Sequence, residues 1–109
     1  MFEIFQSDKN EKFYFNLKAK NGQIILSSQA YESKAGVKNG ISSVQENADD
    51  ESKYERKTAS NGKFHFNLKS GNGQIIGSSQ MYSSEAGMEN GIESVKTNAD
   101  GASIKDLTD

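Results

Sequence analysis

Residues 15–31 read FNLKAKNGQIILSSQAY, and residues 66–82 read FNLKSGNGQIIGSSQMY; only four of the 17 positions differ, and the copies stand 51 residues apart. In the first copy, Phe13-Tyr14-Phe15-Asn16-Leu17-Lys18-Ala19 alternates apolar and mostly polar residues, the period-2 pattern of a half-buried strand. Asn21-Gly22 then predicts a two-residue type I′ turn, because both residue types tolerate positive φ. Ile24-Ile25-Leu26-Ser27-Ser28 forms the returning strand, and the second copy repeats the plan around Asn72-Gly73. The duplicated phrase is therefore a β-hairpin written twice.

Such a turn sets a register. Lys20 faces Gln23, so Ala19 faces Ile24, Leu17 faces Leu26, Phe15 faces Ser28 and Phe13 faces Ala30. Cross-strand partners share a face, which makes one side nearly all apolar. The equivalent side of the second copy holds Phe64, Phe66, Leu68, Ile75, Gly77 and Met81. Leu26 becoming Gly77 while Ala30 becomes Met81 reads as a volume exchange across one core. The other side pairs Tyr14 with Gln29, Asn16 with Ser27 and Lys18 with Ile25. In the second copy it pairs His65 with Gln80, Asn67 with Ser78 and Lys69 with Ile76.

The repeat extends without a gap over residues 13–49 and 64–100, where 25 of 37 pairs are identical. Two copies are too few for a propeller or solenoid, so the reading is an internal duplication with pseudo-two-fold symmetry. Ser33 and Ser84 are placed to cap helices. Val37, Ile41, Val44 and Ala48 follow at helical spacing, as do Met88, Ile92, Val95 and Ala99, giving one apolar stripe per helix. Gly36, Gly40, Gly87 and Gly91 lower helix propensity, which implies close approach of the helix backbone to the sheet. Phe2–Phe5 and Tyr54–Thr58 supply one more strand per copy, and Ser103–Leu107 a short last one. The expected fold is α+β: duplicated βββα(β) units forming one continuous antiparallel sheet with two helices on one face. Residues 1–109 are read as a single domain of two repeats, about 1–51 and 52–109, because ~50 residues alone bury too little surface.

These segments together resemble a known group. NGQII…SSQ.Y followed by SKAGVKNGISSV or SEAGMENGIESV is similar to the YegP-like family of small uncharacterised bacterial proteins, over about residues 2–108. The resemblance implies a β₃αβ-type unit, in tandem or as single repeats that pair. It also implies one continuous sheet with C-terminal strands exchanged between the units. The family has no established activity, so no catalytic or ligand residue is carried over.

Composition narrows the function classes. The net charge is −2, with no gross adaptation to a polyanion. With glycine added and tyrosine removed for comparison, the apolar share is about 38%, below the usual ~45–50% and consistent with a modest core. The sequence has no cysteine, which removes disulfide and thiolate chemistry. MFEIFQSDKNEKF lacks the basic and apolar regions of a signal peptide, and no apolar run reaches the length of a membrane span. A soluble cytoplasmic protein, without membrane association, is the expectation.

No catalytic constellation, metal site or cofactor motif is found. His65 is the only histidine, replaces Tyr14 of the first copy, and reads as a solvent-exposed aromatic position. The candidate binding face is the polar side of the hairpins: Tyr14, Asn16, Lys18 and Gln29, with His65, Asn67, Lys69 and Gln80. Aromatic and basic sheet faces of this kind stack single-stranded nucleic acid, although the acidic total argues against it and a solvated outer face has the same pattern. Ile25 and Ile76 stand among polar neighbours in this register and suggest self-association. Tyr31 and Tyr82, just before the caps, are expected to pack under the entering helices. Lys34 and Lys38 in copy one are replaced by Glu85 and Glu89 in copy two, each pair at i,i+4. Their complementarity predicts that the two helices, or helices of two molecules, meet through these faces. The functional expectation is a non-enzymatic module that binds a protein partner or itself. The runner-up is a weak single-stranded nucleic-acid binder.

Overall fold

A computed structural model describes residues 1–108. Strands β1 (Phe2–Gln6), β2 (Phe13–Lys18) and β3 (Ile24–Ser28) lead into helix α1 (Lys34–Asn47). A 3₁₀ turn at Glu51–Lys53 starts the second copy, β4 (Tyr54–Thr58), β5 (Phe64–Lys69), β6 (Ile75–Ser78) and α2 (Glu85–Ala99), and β7 (Ile104–Asp106) follows. All the elements expected from the sequence are present.

The hairpin register differs at the turn, and the difference moves a side chain. Gly22 has φ of 85°, its N–H donates to the Ala19 carbonyl at 2.9 Å, and the Ala19 N–H donates to the Gln23 carbonyl at 2.9 Å. The loop thus has three residues, Lys20-Asn21-Gly22, with glycine in the left-handed position that closes it. That shifts pairing by one, so Lys18 faces Ile24, and a bulge then restores Leu17 opposite Leu26 and Asn16 opposite Ser27. Ile25 is the extra residue and turns inward. Ile25 and Ile76 are buried, at 5% and 7% exposure, while Ile24 and Ile75 are the exposed ones at 42% and 37%. The expectation that Ile25 and Ile76 form a surface for self-association is therefore overturned. The same turn recurs at Gly73 and Gly62, with φ of 84° and 82°. At the far end, the Ser28 hydroxyl accepts from the Phe15 N–H at 2.8 Å, and Phe13 pairs with Tyr31 instead of Ala30.

The seven strands form one sheet in the order β4-β5-β6-β3-β2-β1-β7. Its centre is the β3–β6 pair, where Ser27 faces Ser78. Pairing is antiparallel throughout except at the end, where β7 runs parallel to β1 with Phe2 beside Ile104 and Ile4 beside Asp106. The last strand of the second copy thus completes the edge of the first, but the exchange implied by the family resemblance is one-way, since β4, which follows α1, pairs with β5 of its own copy. Among the described residues, strand β4, the counterpart of β1, has no such neighbour and ends the sheet.

Both helices pack on one face and reach across the centre: α1 touches β2, β5 and β6, and α2 touches β5, β2 and β3. Each begins at its predicted cap, Ser33 accepting from the Gly36 N–H and Ser84 from the Gly87 N–H, both at 3.0 Å. Their stripes, Val37, Ile41, Val44 and Ala48 with Met88, Ile92, Val95 and Ala99, are buried. With Phe2, Ile4, Phe15, Leu17, Phe66 and Leu68 they form one cluster drawn from both copies.

The helix glycines meet tyrosine rings, not the sheet backbone. A Cβ on Gly40 would stand 2.7 Å from Cζ of Tyr31, and one on Gly91 equally close to Tyr82. These rings stack on Phe15 and Phe66, each at 6.4 Å between centroids. The volume exchange is also relocated. Met81 is 47% exposed, and the partner of Gly77 is Leu26 itself, across the central strand pair. The Tyr54 hydroxyl donates to the Ala48 carbonyl at 2.7 Å, closing the C-terminus of α1. Burial pushes its pKa up.

Candidate functional site

The strand alternation that buries Phe15 and Leu17 points Tyr14, Asn16 and Lys18 to the face without helices. There the Tyr14 ring stacks on Phe5, 5.5 Å between centroids and 14° between planes. Its hydroxyl accepts from Asn10 Nδ2 at 3.0 Å. Lys18 pairs with Glu3 of β1 at 3.0 Å. In the second copy Glu55 Oε1 accepts from Asn67 Nδ2 and Glu55 Oε2 from Lys69 Nζ, both at 3.0 Å. Asn67 Oδ1 in turn accepts from the Ser78 hydroxyl at 2.7 Å. Asn67 is buried, and Asn16 makes no corresponding side-chain hydrogen bond among the described residues. The Asn67 amide and then the Lys69 ammonium hold the Glu55 carboxyl below its usual pKa. Each lysine of the predicted face is thus matched by a glutamate from the neighbouring strand.

The remaining members of that face are placed differently. His65 is only partly exposed, and its Nδ1 is buried without a hydrogen-bond partner, so it is not the open aromatic position expected. Gln29 is exposed near the end of its hairpin. Gln80 lines a cavity of about 190 Å³ between the first hairpin turn and α2, with Asn21, Gln23, Tyr82 and Asn90 among its neighbours and none of the other residues of the predicted face. Tyr14, Asn16 and Lys18 form one stripe, and His65, Asn67 and Lys69 the other.

Of the helix charges, Lys34 and Glu89 form ion pairs within the chain, but not with each other. Lys34 pairs with Asp106 of β7 at 3.2 Å, and Lys38 lies exposed. Glu89 takes both Nε and Nη2 of Arg56, at 2.5 and 2.9 Å. Arg56 also bonds Glu51, which accepts from Lys96 at 2.6 Å. These partners hold the Glu51 and Glu89 carboxyls below, and the Arg56 guanidinium above, their ordinary pKa values. The expected meeting of Lys34 and Lys38 with Glu85 and Glu89 does not occur within the chain. One charge of each helix reaches an edge strand: Lys34 reaches β7, and Glu89 reaches β4. The sequence reading missed Arg56, although its being the only arginine was a signal. A guanidinium fork suits a carboxylate better than lysine does.

Shallow cavities of about 190–270 Å³ open on the surface of the described residues, smaller than the ~300–1,000 Å³ of small-molecule sites. Among the described residues no three His, Cys, Asp or Glu side chains converge as metal ligands. No helix there is long and apolar enough to cross a membrane.

The model of the domain of unknown function DUF1508 matches twice, at residues 8–55 and 59–106, the same 51-residue offset as the hairpins. The chain belongs to the YegP-like UPF0339 family. It is 53% identical over 107 residues to UPF0339 protein YegP of Escherichia coli strain K12, covering 98% of this chain and 96% of that one. It is 51% identical over 106 residues to a UPF0339 protein encoded in the ptx operon 5′ region of Stutzerimonas stutzeri, covering 97% and 95%. The solution NMR structure of YegP from E. coli superposes with a TM-score of 0.92 at 52% identity, covering 97% of this chain and 90% of that one. That of a UPF0339 protein from Shewanella oneidensis does so with a TM-score of 0.91 at 51% identity, covering 97% and 89%. Both relatives span nearly the whole of this chain, and both solved structures share its fold.

Proposed function

We propose that this UPF0339 protein is a non-enzymatic binding module whose partner is another protein. The observation that carries the reading is the unequal treatment of two equivalent sheet edges: β7 covers β1, while no strand among the described residues covers β4. An uncovered strand offers a row of backbone donors and acceptors, the usual ground for strand addition by a partner. The outer face supports protein over nucleic acid. Lys18 and Lys69 are each neutralised by a glutamate at 3.0 Å, which leaves little net charge to displace counterions from a phosphate backbone.

The test is photo-crosslinking in bacterial cells from an unnatural side chain at Thr58 on the β4 edge, at Tyr14 on the outer face, and at Glu46 on α1 as a control. Discrete protein adducts from Thr58 or Tyr14 but not Glu46 are expected. Adducts to nucleic acid, or none above the control, would remove the reading.

A further inference from the structure

The covered edge is a template for its uncovered counterpart. Phe2 of β1 pairs with Leu17, and Tyr54 of β4 pairs with Leu68, the equivalent leucine one repeat later. On β1 the parallel strand β7 is held by the Phe2 N–H donating to the Ser103 carbonyl and the Leu107 N–H donating to the Ile4 carbonyl, both at 2.9 Å. It is also locked by charge, Asp106 meeting Lys34 at the start of α1, 3.2 Å away. On β4 the Tyr54 N–H is taken by the Glu51 carbonyl of the 3₁₀ turn, so the open ladder begins at Arg56. The residue equivalent to Lys34 is Glu85. Beside this edge lies a cavity of about 190 Å³ whose lining includes Arg56, Lys57, Thr58, Phe64, Glu85 and Glu89; Lys57 is paired with Glu55 at 3.9 Å. The lock has therefore changed sign. Glu89 is engaged by Arg56, whereas Glu85 has no ion-pair partner among the described residues.

Resting on the binding reading above, we infer that β4 receives an extended segment of another protein as an eighth, parallel strand, with Lys or Arg opposite Arg56, where it meets Glu85. The chain's own last strand is excluded from that place, in cis or from a second copy, because Asp106 would be set against Glu85. Arg56 does not repel the incoming cation strongly, since its charge is already matched by Glu89 and Glu51. Main-chain bonds supply affinity in such additions, and the side chain at the lock supplies selection.

Two synthetic peptides test the assignment by amide chemical shifts of the full-length protein at low salt. One copies residues 102–108, and the other carries Asp106→Arg. The Arg peptide is expected to shift the amides of Arg56, Thr58 and Glu85 and to bind more tightly than the Asp peptide. Glu85→Lys should reverse that order, each change being about fivefold for an exposed charge pair. Glu85 is exposed and outside the core, so this variant folds; Glu85→Gln, expected to equalise the peptides, is a second check. Equal binding of both peptides to wild type, no shift along β4, or a concentration-dependent dimer joined through β4 overturns the assignment. A failure here with Tyr14 crosslinks retained removes the edge and leaves the binding module standing. Loss of all crosslinks removes the module itself.

Discussion

Leu26 fills the space that a side chain at Gly77 would need: a Cβ there would stand 2.7 Å from Leu26 Cγ. The two positions are equivalent in the repeat and are diagonal neighbours across the central strand pair, where Gly77 stands opposite Ser28. Two leucines would collide there and two glycines would leave a void. A duplicated gene product can resolve the conflict by diverging, one copy keeping the large residue and the other the small one. Gly77→Ala should destabilise by about 1–3 kcal/mol through overpacking, and Leu26→Ala by about 2–5 kcal/mol through a cavity. The double variant should cost clearly less than the sum, since residues in contact couple. Urea unfolding of the four proteins measures this, and simple additivity would mean that the contact is not limiting.

The tyrosines beneath the helices make a second such lock within each repeat. Gly40→Ala should gain about 1 kcal/mol of helix propensity, yet the new Cβ meets the Tyr31 ring at 2.7 Å. A net loss of stability is expected because that ring is wedged against Phe15 and cannot retreat. In a Tyr31→Ala background the same Gly40→Ala change should become stabilising. If Gly40→Ala stabilises both backgrounds, the glycine is not there for the ring.

Strands, helices and their inward faces were legible in the sequence because each depends on local periodicity. Phe15, Leu17, Val37 and Ile41 repeat at the spacing their element demands, and the Ser33 cap announces its helix. The position of Ile25 was not legible. Asn-Gly suits both a two-residue turn and a three-residue loop, and only the bulge beyond it decides which isoleucine is buried. Partners of the charged residues depend on topology rather than spacing. Lys34 meets Asp106 because β7 of the second copy crosses to the edge beside α1, and Glu89 meets Arg56 on β4 of its own copy. Of the predicted face, the Tyr14–Asn16–Lys18 stripe followed from strand alternation, whereas Gln80 lies beyond the irregular end of its strand and turns elsewhere.

The last strand should be detachable by acid. Hydrogen bonds from the Thr108 hydroxyl and N–H, followed by the Lys34 ammonium, lower the Asp106 pKa to about 2. An unfolded aspartate titrates near ~3.9. Because the folded value is the lower one, the contribution is fully present above pH ~4 and is lost as pH falls through about 2. The Leu107 amide, bonded to the Ile4 carbonyl, reports that loss directly. Its hydrogen-exchange protection should fall across this window ahead of the α1 amides. In Asp106→Asn it should be lower at neutral pH and nearly flat across the same range. Unchanged behaviour of that variant would show that the carboxylate does not hold β7.

The paired lysines of the outer face give a final prediction about what the protein avoids. Lys18 and Lys69 lie on the equivalent strands β2 and β5 with Tyr14 and His65 nearby, the ingredients of a stacking surface for single strands. Glu3 and Glu55 cancel both cations, each at 3.0 Å. At about 0.1 M salt, where the screening length is ~10 Å, an oligothymidylate should leave the amides of Asn16, Lys18, Asn67 and Lys69 unmoved. Glu3→Gln with Glu55→Gln raises the net charge from −2 to zero and frees both ammonium groups on one face. That variant should show salt-sensitive shifts along the two stripes, with binding weakening as ionic strength rises. Adding Lys18→Gln and Lys69→Gln should abolish them. Shifts in the wild type at moderate salt would instead mark the face as a nucleic-acid surface despite its glutamates. Silence in the freed variant would mean that the stripes lack the geometry to stack bases at all.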